Sequence, residues 1–271
     1  MANRTWEGSV SGDYSVAGNW VEGSVPVNAD DVRIPATSTQ AITSGLNQSA
    51  VTLTSFTVED GAPAMGTETA YLQIGTGAFR FAGSGTSLID LGSSAIVAYV
   101  DDTVTPAEGY AGLYLKGSAI SQLILNGGHT ALAWRMGETA TATSIRITNS
   151  SAIYWGGSVT NTTFHANAGT AFIRHAVTTV NVNGGTVRSQ GSGAIGTWNV
   201  YGGLAYLDSS GTVSNLNMYG GTTSMVSSGV ARTVTNWRLE PGATFKYDPA
   251  YCTLSNLTMP SAAVSIASSR I

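Results

Sequence analysis

The chain has 271 residues, of which 42% are hydrophobic and only 10% are charged, and its formal net charge is −4. This apolar content excludes a disordered polypeptide and is enough for one large domain. The scarcity of Lys and Arg argues against nucleic-acid binding, which needs clustered cations to neutralise phosphates. The 33 glycines, together with many Ser, Thr and Asn residues, indicate strands and turns.

Two further features concern the environment of the chain. Cys252 is the only cysteine, so an intramolecular disulfide and a zinc site made of several cysteines are both excluded. Residues 1–6 lack the apolar stretch of a signal peptide, and no run elsewhere is long enough to span a bilayer. We therefore expect a protein that is made and folded in a cytoplasm and has no membrane partner.

The first 50 residues differ from the rest of the chain and are predicted to form an N-terminal cap or attachment segment. They contain two tryptophans and several turn motifs. A stack of β-strands needs such a cover, because its terminal strand would otherwise present an exposed edge. The distinctive side chains of this block are the candidate partner contacts Trp6, Tyr14, Trp20 and Arg33.

Short alternating segments follow the predicted cap. In the segments 56–58, 72–74 and 89–91, two apolar residues flank one polar residue, and the three segments follow one another at nearly equal intervals. Alternation of this kind is typical of a strand with one buried face. We interpret the three segments as weak copies of the repeat that becomes clear further along the chain.

The clearest repeat lies between residues 179 and 221, where an alternating strand is followed by two glycines in three successive copies. The second apolar position of these copies falls at Val182, Val200 and Met218, so the copies are equally spaced. The same position in the weaker copies is assigned to Leu125, Ile147, Phe164, Leu239 and Met259. A fixed period of about 18 residues is the signature of a repeat architecture.

This spacing predicts an all-β, single-stranded parallel β-helix with about 18–22 residues per turn over residues 51–271. Alternate side chains would point inward and stack into ladders of Val, Leu, Ile and Met that all turns share. The glycine pairs suit tight corners, where a positive φ is needed. A β-sandwich or a propeller is the alternative, but the hairpins of a sandwich would give irregular intervals.

One outward stripe is a candidate contact surface. In the predicted register His165 aligns with Asn183, Tyr201 and Tyr219 in successive turns. Tyrosine is favoured at interfaces, so His165, Tyr201 and Tyr219 are candidate contacts for a partner or a glycan. Ordinary cross-strand stacking on a sheet surface is the alternative interpretation.

No catalytic, metal-binding or cofactor-binding residues are predicted. Between residues 139 and 239 the only acidic residue is Asp208, and the carboxylate pairs 30–31, 59–60 and 101–102 are neighbours in sequence. Adjacent residues of a strand point to opposite faces, so no such pair supplies an acid and a base to one site. We therefore expect a protein that is not an enzyme and uses no cofactor.

Several motifs resemble those of two related groups of β-helical proteins. The N-terminal pattern is Trp-x-Gly, Ser-Gly-Asp-aromatic, Ala-x-Asn-Trp, Gly-x-x-Pro and Asp-Asp-Val-x-Ile. It resembles the opening of bacterial autotransporter-like surface proteins and of a family of tailed-phage proteins. The phage family is the more similar, because the resemblance extends to residues 41–49, 71–75 and 113–118. It implies a virion component of the capsid-decoration or cement type, a class that often assembles as trimers.

These observations lead to three functional hypotheses. The first is a non-enzymatic phage structural protein that binds and stabilises the head surface, with the major capsid protein as its partner. It would form a homotrimer on the capsid surface after assembly in the host cytoplasm. The second is a receptor- or glycan-binding tail fibre or adhesin. The third is a polysaccharide depolymerase, which predicts that stacking of the turns brings carboxylates together.

Overall fold

The computed structural model describes residues 1–83, 85–101, 111–149, 151–226 and 229–258, and the backbone of residues 265–268. Parallel strands stack in it as a β-solenoid of about 11 turns, with one short 3-10 helix at Ala17–Asn19. The predicted parallel β-helix is therefore confirmed. The chain divides into two compact units: unit 1 contains residues 1–143 and 156–159, and unit 2 contains residues 144–155 and 160–271.

The strands of the described residues are numbered in chain order. They are β1 (Asn3–Thr5), β2 (Asp31–Ile34), β3 (Asn47–Leu53), β4 (Ser55–Val58), β5 (Leu72–Thr76), β6 (Phe79–Phe81), β7 (Ser87–Asp90), β8 (Val97–Asp101), β9 (Leu113–Gly127), β10 (His129–Leu132), β11 (Thr139–Ile147), β12 (Ala152–Trp155), β13 (Ser158–Ala166), β14 (Thr170–Ile173), β15 (Val177–Val182), β16 (Thr186–Ser189), β17 (Ile195–Val200), β18 (Leu204–Leu207), β19 (Val213–Met218), β20 (Thr222–Met225), β21 (Arg232–Leu239), β22 (Thr244–Tyr247), β23 (Cys252–Thr258) and β24 (Ser265–Ser268).

In unit 2 each turn contributes one strand to each of two parallel sheets. The first sheet contains β13, β15, β17, β19, β21 and β23, and each strand pairs with the one a turn later. The second sheet contains β12, β14, β16, β18, β20, β22 and β24. A turn therefore consists of two strands, where the sequence analysis recognised one strand per repeat.

The core of unit 2 consists of inward ladders that the alternating pattern predicts. Val180, Trp198, Leu216 and Trp237 pair in successive strands of the first sheet and are all buried. Val182, Val200, Met218 and Leu239 form the neighbouring ladder and are completely buried. Burying one such side chain stabilises the fold by about 1.5–3 kcal/mol, so these ladders are the main reason that the turns stack.

Glycine pairs form the corners between the two sheets of unit 2. Gly185, Gly203 and Gly221 have φ values of 68°, 72° and 67°, in the left-handed region that glycine enters without strain. A Cβ on Gly203 would lie 2.5 Å from the carbonyl oxygen of Gly185 in the previous turn. Glycine is thus required at this corner both by its backbone conformation and by the close approach of the turns.

Unit 1 also has two parallel sheets. Its first sheet contains β1, β2, β4, β6, β8 and the second half of β9, and its second sheet contains β3, β5, β7, the first half of β9, and β10. Strands β1 and β2 belong to the predicted cap, yet β2 pairs in register with β4, from Asp31 opposite Ser55 to Ile34 opposite Val58. Strand pairing therefore continues across residue 50, where a separate cap was expected to end.

The lengths of the turns vary more than the sequence predicted. In the first sheet of unit 1 the shortest step between paired residues is from Phe79 to Ala98, and the longest is from Arg4 to Val32. In unit 2 paired outward residues of the first sheet lie 16 to 21 residues apart. The extra residues lie in the corners, where added length leaves strand pairing intact.

Two of the predicted registers are wrong. Phe164 pairs with Val180 and not with Val182, so it occupies the first inward position, and Ala166 occupies the second. The segments 56–58 and 72–74 lie on different sheets, in β4 and β5, although they were assigned to one ladder. The first error is a shift of two positions, which keeps a residue inward, and the second arises because the two strands of a turn alternate in the same way. Met259 lies outside the described residues.

Candidate functional site

The candidate site is the outward surface of the first sheet of unit 2, which we call the amide–tyrosine face. Two outward positions of each strand, and the residue that directly follows the strand, align in three columns across the turns. The first column contains Thr163, Thr179, Thr197, Asn215 and Asn236. The middle column contains His165, Asn181, Asn199, Asn217 and Arg238. The third column contains Asn167, Asn183, Tyr201, Tyr219 and Glu240.

The middle column is a hydrogen-bonded amide ladder. The side-chain Nδ2 of Asn217 donates to Oδ1 of Asn199 at 2.9 Å, and Nδ2 of Asn199 donates to Oδ1 of Asn181 at 2.9 Å. All three side chains are half-buried between their neighbours. Asn199 uses one N–H and one oxygen lone pair within the ladder, which leaves a second donor and a second acceptor for another molecule.

His165 ends the ladder, and the ladder determines which ring nitrogen carries the proton. The Oδ1 of Asn181 already accepts from Asn199, so its Nδ2 faces Nδ1 of His165, 3.4 Å away. The amide can only donate here, so a hydrogen bond at this position requires the neutral tautomer with Nδ1 as acceptor and the proton on Nε2. Burial, assisted by the positive charge of Arg146, lowers the pKa of His165 below its ordinary value. The imidazole is therefore neutral at neutral pH.

Tyr201 and Tyr219 are the exposed aromatic residues of the face. Their exposed fractions are 50% and 40%, and their rings stack with a centroid separation of 4.8 Å and an interplanar angle of 7°. The guanidinium of Arg238 lies over the Tyr219 ring at 5.8 Å and also forms an ion pair with Glu240. The Tyr219 ring therefore has Tyr201 and Arg238 as neighbours in the chain. Because the two rings stack on each other, less of their surface is left for stacking against a sugar.

Further amide bonds fix the two outer columns. Nδ2 of Asn236 donates to Oδ1 of Asn215 at 3.0 Å, and Nδ2 of Asn256, in the next turn, donates to Asn236 at 2.9 Å. In the third column Nδ2 of Asn183 donates to Oδ1 of Asn167 at 2.8 Å. The face therefore presents polar groups in fixed positions, at the spacing of about 4.8 Å between strands.

The predicted contact stripe contains its three candidate residues, but in a different arrangement. His165 aligns with Asn181, so the predicted alignment with Asn183, Tyr201 and Tyr219 is wrong by two residues. His165 lies in the middle column, and Tyr201 and Tyr219 lie in the third. The asparagine ladder itself was not predicted as a site, although its three Asn residues repeat at intervals of 18 residues.

Three of the four contact candidates in the N-terminal block lie in the interior. Trp6, Tyr14 and Trp20 are at most 2% exposed and pack edge to face, with Trp20 4.8 Å from Tyr14 and 5.1 Å from Trp6. Burial raises the pKa of the Tyr14 hydroxyl. As a packed aromatic core they present no surface to a partner, which corrects the expectation for these residues. Arg33 lies on the surface and forms an ion pair with Glu59.

No protein-family model, no curated protein and no solved structure matches this chain. Its function is therefore inferred from its own geometry and from the sequence motifs above.

Unit 1 contains a second polar cluster around Tyr71, which is 6% exposed. Its hydroxyl donates to Glu138 at 2.8 Å, and Lys116 Nζ and the Arg135 guanidinium lie 4.4 Å and 5.4 Å from the ring centre. Asp90 pairs with Lys116 at 3.5 Å, and Glu138 pairs with Arg135 at 3.8 Å. Each carboxylate of the cluster thus has a cation as its partner. This arrangement stabilises the fold of unit 1.

A shallow groove of about 420 Å³ lies in unit 1 beside this cluster. Its lining includes Ser49, Thr52, Gln73, Asp90 and Ser94, together with several glycines and aliphatic residues. Hydroxyl and amide groups beside aliphatic surface are typical of sites for small polar ligands.

The described members of the carboxylate pairs singled out in the sequence have structural partners. Although burial opposes its ionisation, hydrogen bonds from Arg4, Val27 and Ala2 hold the pKa of Asp30 below its ordinary value. Asp31 accepts from Ser55, and Asp101 pairs with Arg80. Asp102 lies outside the described residues. Within the part of the chain that the structure describes, no three His, Cys, Asp or Glu residues are grouped to hold a metal ion, and no helix is long and apolar enough to cross a membrane.

Proposed function

We propose that this protein is a non-enzymatic structural protein of a tailed-phage virion, of the capsid-decoration or cement type. It binds the major capsid protein, stabilises the head surface and assembles in the host cytoplasm. The amide–tyrosine face is the observation that carries the proposal. Its donors and acceptors are held in place by one another, so they lose little conformational freedom when they meet a protein surface.

The motifs of residues 1–50, 71–75 and 113–118 support the same proposal through their resemblance to tailed-phage proteins. A solenoid suits such a static role, because it buries one continuous core and leaves regular outer faces for contacts. A homotrimer is the expected assembly. Arg33, which is exposed beside Glu59, remains a candidate contact in the N-terminal block.

The decisive measurement is the copy number of this chain relative to the major capsid protein, by quantitative mass spectrometry of purified phage particles. We expect a number comparable with that of the capsid subunit. A few copies per particle would favour a tail fibre instead, and absence from the particle would refute any virion role.

A glycan-binding tail fibre or adhesin is the second candidate, and the groove of unit 1 favours it. The groove has room for a small saccharide and is lined by residues such as Ser49 and Gln73, whose side chains exchange hydrogen bonds with sugar hydroxyls. Calorimetric titration with host-surface oligosaccharides tests it. Binding that is lost in Gln73→Ala would support this candidate, and absence of heat across the panel would remove it.

A further inference from the structure

The corner loop between β10 and β11 presents two large apolar side chains to solvent. Met136 is fully exposed, and Trp134 is 40% exposed. Gly137 follows with a φ of 85°, and a Cβ on it would meet nothing within 4 Å. We call residues 133–138 the Trp–Met tip. Both residue types are enriched in protein interfaces, and Trp is among the commonest residues that dominate binding energy.

The backbone of the Trp–Met tip is fixed before any partner binds. Ala133 has a φ of 46°, which a non-glycine residue rarely adopts and which is often found at binding sites. Its carbonyl oxygen accepts from the backbone N–H of Gly157, and the carbonyl of Leu132 accepts from Gly156 at 3.0 Å. A Cβ on Gly156 would collide with the Trp134 carbonyl. A loop packed in this way loses little conformational freedom on binding.

The side chains beside Met136 are held by unit 1. The Trp134 ring packs edge to face on Tyr114, with 5.6 Å between the ring centres. The guanidinium of Arg135 donates to the backbone carbonyl of Glu68. These contacts tie the two residues before Met136 to the fold, while the Met136 side chain itself projects into solvent.

The charge of unit 1 indicates which kind of partner the tip fits. The unit contains 13 acidic and 5 basic residues, a net charge of −8. Membrane attachment usually combines apolar residues with Lys and Arg, because the lipid surface is negative. Arg135, the one cation of the tip, is already paired with Glu138 at 3.8 Å. A protein with an apolar pocket inside a basic surface complements both the side chains and the charge.

We propose that the Trp–Met tip docks into an apolar pocket with a basic rim on another protein of the virion. Two projecting side chains bury little area against a flat surface, so the partner is concave at this point. The proposal rests on the proposed function, because it takes the partner from the particle. It adds a contact in unit 1 that is separate from the amide–tyrosine face of unit 2.

The first test uses Met136 as a probe of its own burial. Hydrogen peroxide transfers one oxygen atom to an accessible thioether, which gives methionine sulfoxide and water. Peptide mass spectrometry measures the rate of this oxidation in the purified chain and in intact particles, with the fully buried Met65 as the internal reference. We expect Met136 to react about tenfold more slowly in the particle, because a docked tip is accessible only in a minor free state.

The outcomes of this test separate the two proposals. Equal oxidation rates of Met136 in the purified chain and in particles that contain the chain would overturn the docking and leave the virion role intact. Absence of the chain from the particles would refute the proposed function and the docking together.

The second test compares two charge insertions in binding to particles prepared without the chain. Met136→Glu places a carboxylate in the tip, and Val97→Glu makes the same change at an outward residue of β8 that is 37% exposed in the same unit. Neither change touches the core, so both variants should fold, which circular dichroism checks. Co-sedimentation should show about tenfold weaker binding for Met136→Glu and unchanged binding for Val97→Glu. Equal binding of the two variants would overturn the proposal.

Two further measurements test the chemistry of the partner. Raised salt should weaken binding to the particles, because screening reduces the attraction between unit 1 and a basic surface. Binding that is independent of salt would refute the basic rim. The unchanged chain should not sediment with vesicles of phosphatidylcholine and phosphatidylglycerol. Sedimentation with these vesicles that Met136→Glu abolishes would make the tip a membrane contact and overturn the protein pocket.

Discussion

The phenol of Tyr71 and the carboxylate of Glu138 form a hydrogen bond of 2.8 Å across 67 residues of sequence. The same Glu138 oxygen also accepts from the backbone N–H of Arg135 at 3.0 Å, and the Glu138 backbone carbonyl accepts from Ser158. This one side chain therefore connects a buried tyrosine to the segment that precedes β11. Burial and the neighbouring carboxylate raise the pKa of the Tyr71 hydroxyl, which stays a donor at neutral pH.

Tyr71→Phe should lower the free energy of unfolding by about 1.5 kcal/mol. The substitution removes a donor to a charged and mostly buried acceptor, and such bonds contribute more than neutral ones. Urea denaturation followed by circular dichroism measures the change. Tyr99→Phe is the matched control, because Tyr99 lies in the same unit and is 43% exposed, so its loss should cost close to zero. Equal effects of the two variants would show that the bond to Glu138 contributes nothing.

The amide ladder predicts different outcomes for two Asn-to-Asp substitutions. Asn199 both donates and accepts, so Asn199→Asp loses its donor and places two acceptors face to face at Asn181, at a cost of about 1–3 kcal/mol. Asn167 only accepts from Asn183, and Asn167→Asp keeps that acceptor. Thermal unfolding at neutral pH should therefore separate the two variants, with the second close to the unchanged chain. Comparable losses would contradict the assigned direction of the ladder.

His165 gives the fold a pH dependence of defined sign. Its pKa is lowered on folding, so below about pH 6.5 the unfolded chain binds a proton that the folded chain resists. Stability should fall as the pH decreases from about 6.5 through the lower pKa of the folded state, and this residue should have no effect at higher pH. His165→Asn keeps an acceptor for Asn181 and removes the titrating group. The melting temperature of this variant should decline less on acidification, and superimposable pH profiles would refute the role of His165.

The corner glycines allow conformational strain to be separated from crowding. Gly203 and Gly242 both have positive φ, at 72° and 90°, but a Cβ on Gly242 would meet nothing within 4 Å. Gly242→Ala should therefore cost only the left-handed conformation, about 1–2 kcal/mol. Gly203→Ala should cost clearly more, since its Cβ would collide with the carbonyl of Gly185. Denaturant midpoints decide the comparison, and a smaller effect at Gly203 would exclude close packing of the turns there.

The first strand and the glycine corner of the repeat from Val182 to Met218 were predictable from sequence, whereas the second strand of each turn was not recognised. The equal steps, the alternation and the paired glycines all indicate the same turn, and the structure buries each predicted inward residue. Phe164 was misplaced because the turn from its strand to the next is shorter than the repeat, so that it pairs with Val180. A change of two positions preserves the inward direction of a strand residue, so the hydrophobic pattern alone does not reveal it.

The polar clusters were harder to predict, because they depend on which turns become neighbours. Tyr71 and Glu138 belong to no common sequence motif. Their contact can be recognised only when the lengths of the turns between them are known. In the N-terminal block, Trp6, Tyr14 and Trp20 were recognised as unusual, but composition does not distinguish an aromatic core from an aromatic surface. The asparagine ladder had a signal in the sequence, the regular interval between outward Asn residues, but these residues are neither charged nor aromatic.

The direction of the amide bonds gives the sheet an electrical polarity without any net charge. In each of the asparagine pairs described, the later turn donates to the earlier one, so the side-chain dipoles align head to tail as peptide dipoles do in a helix. The positive end of the middle column points at His165, where a proton is disfavoured. Its negative end points at Arg238, where a cation is stabilised.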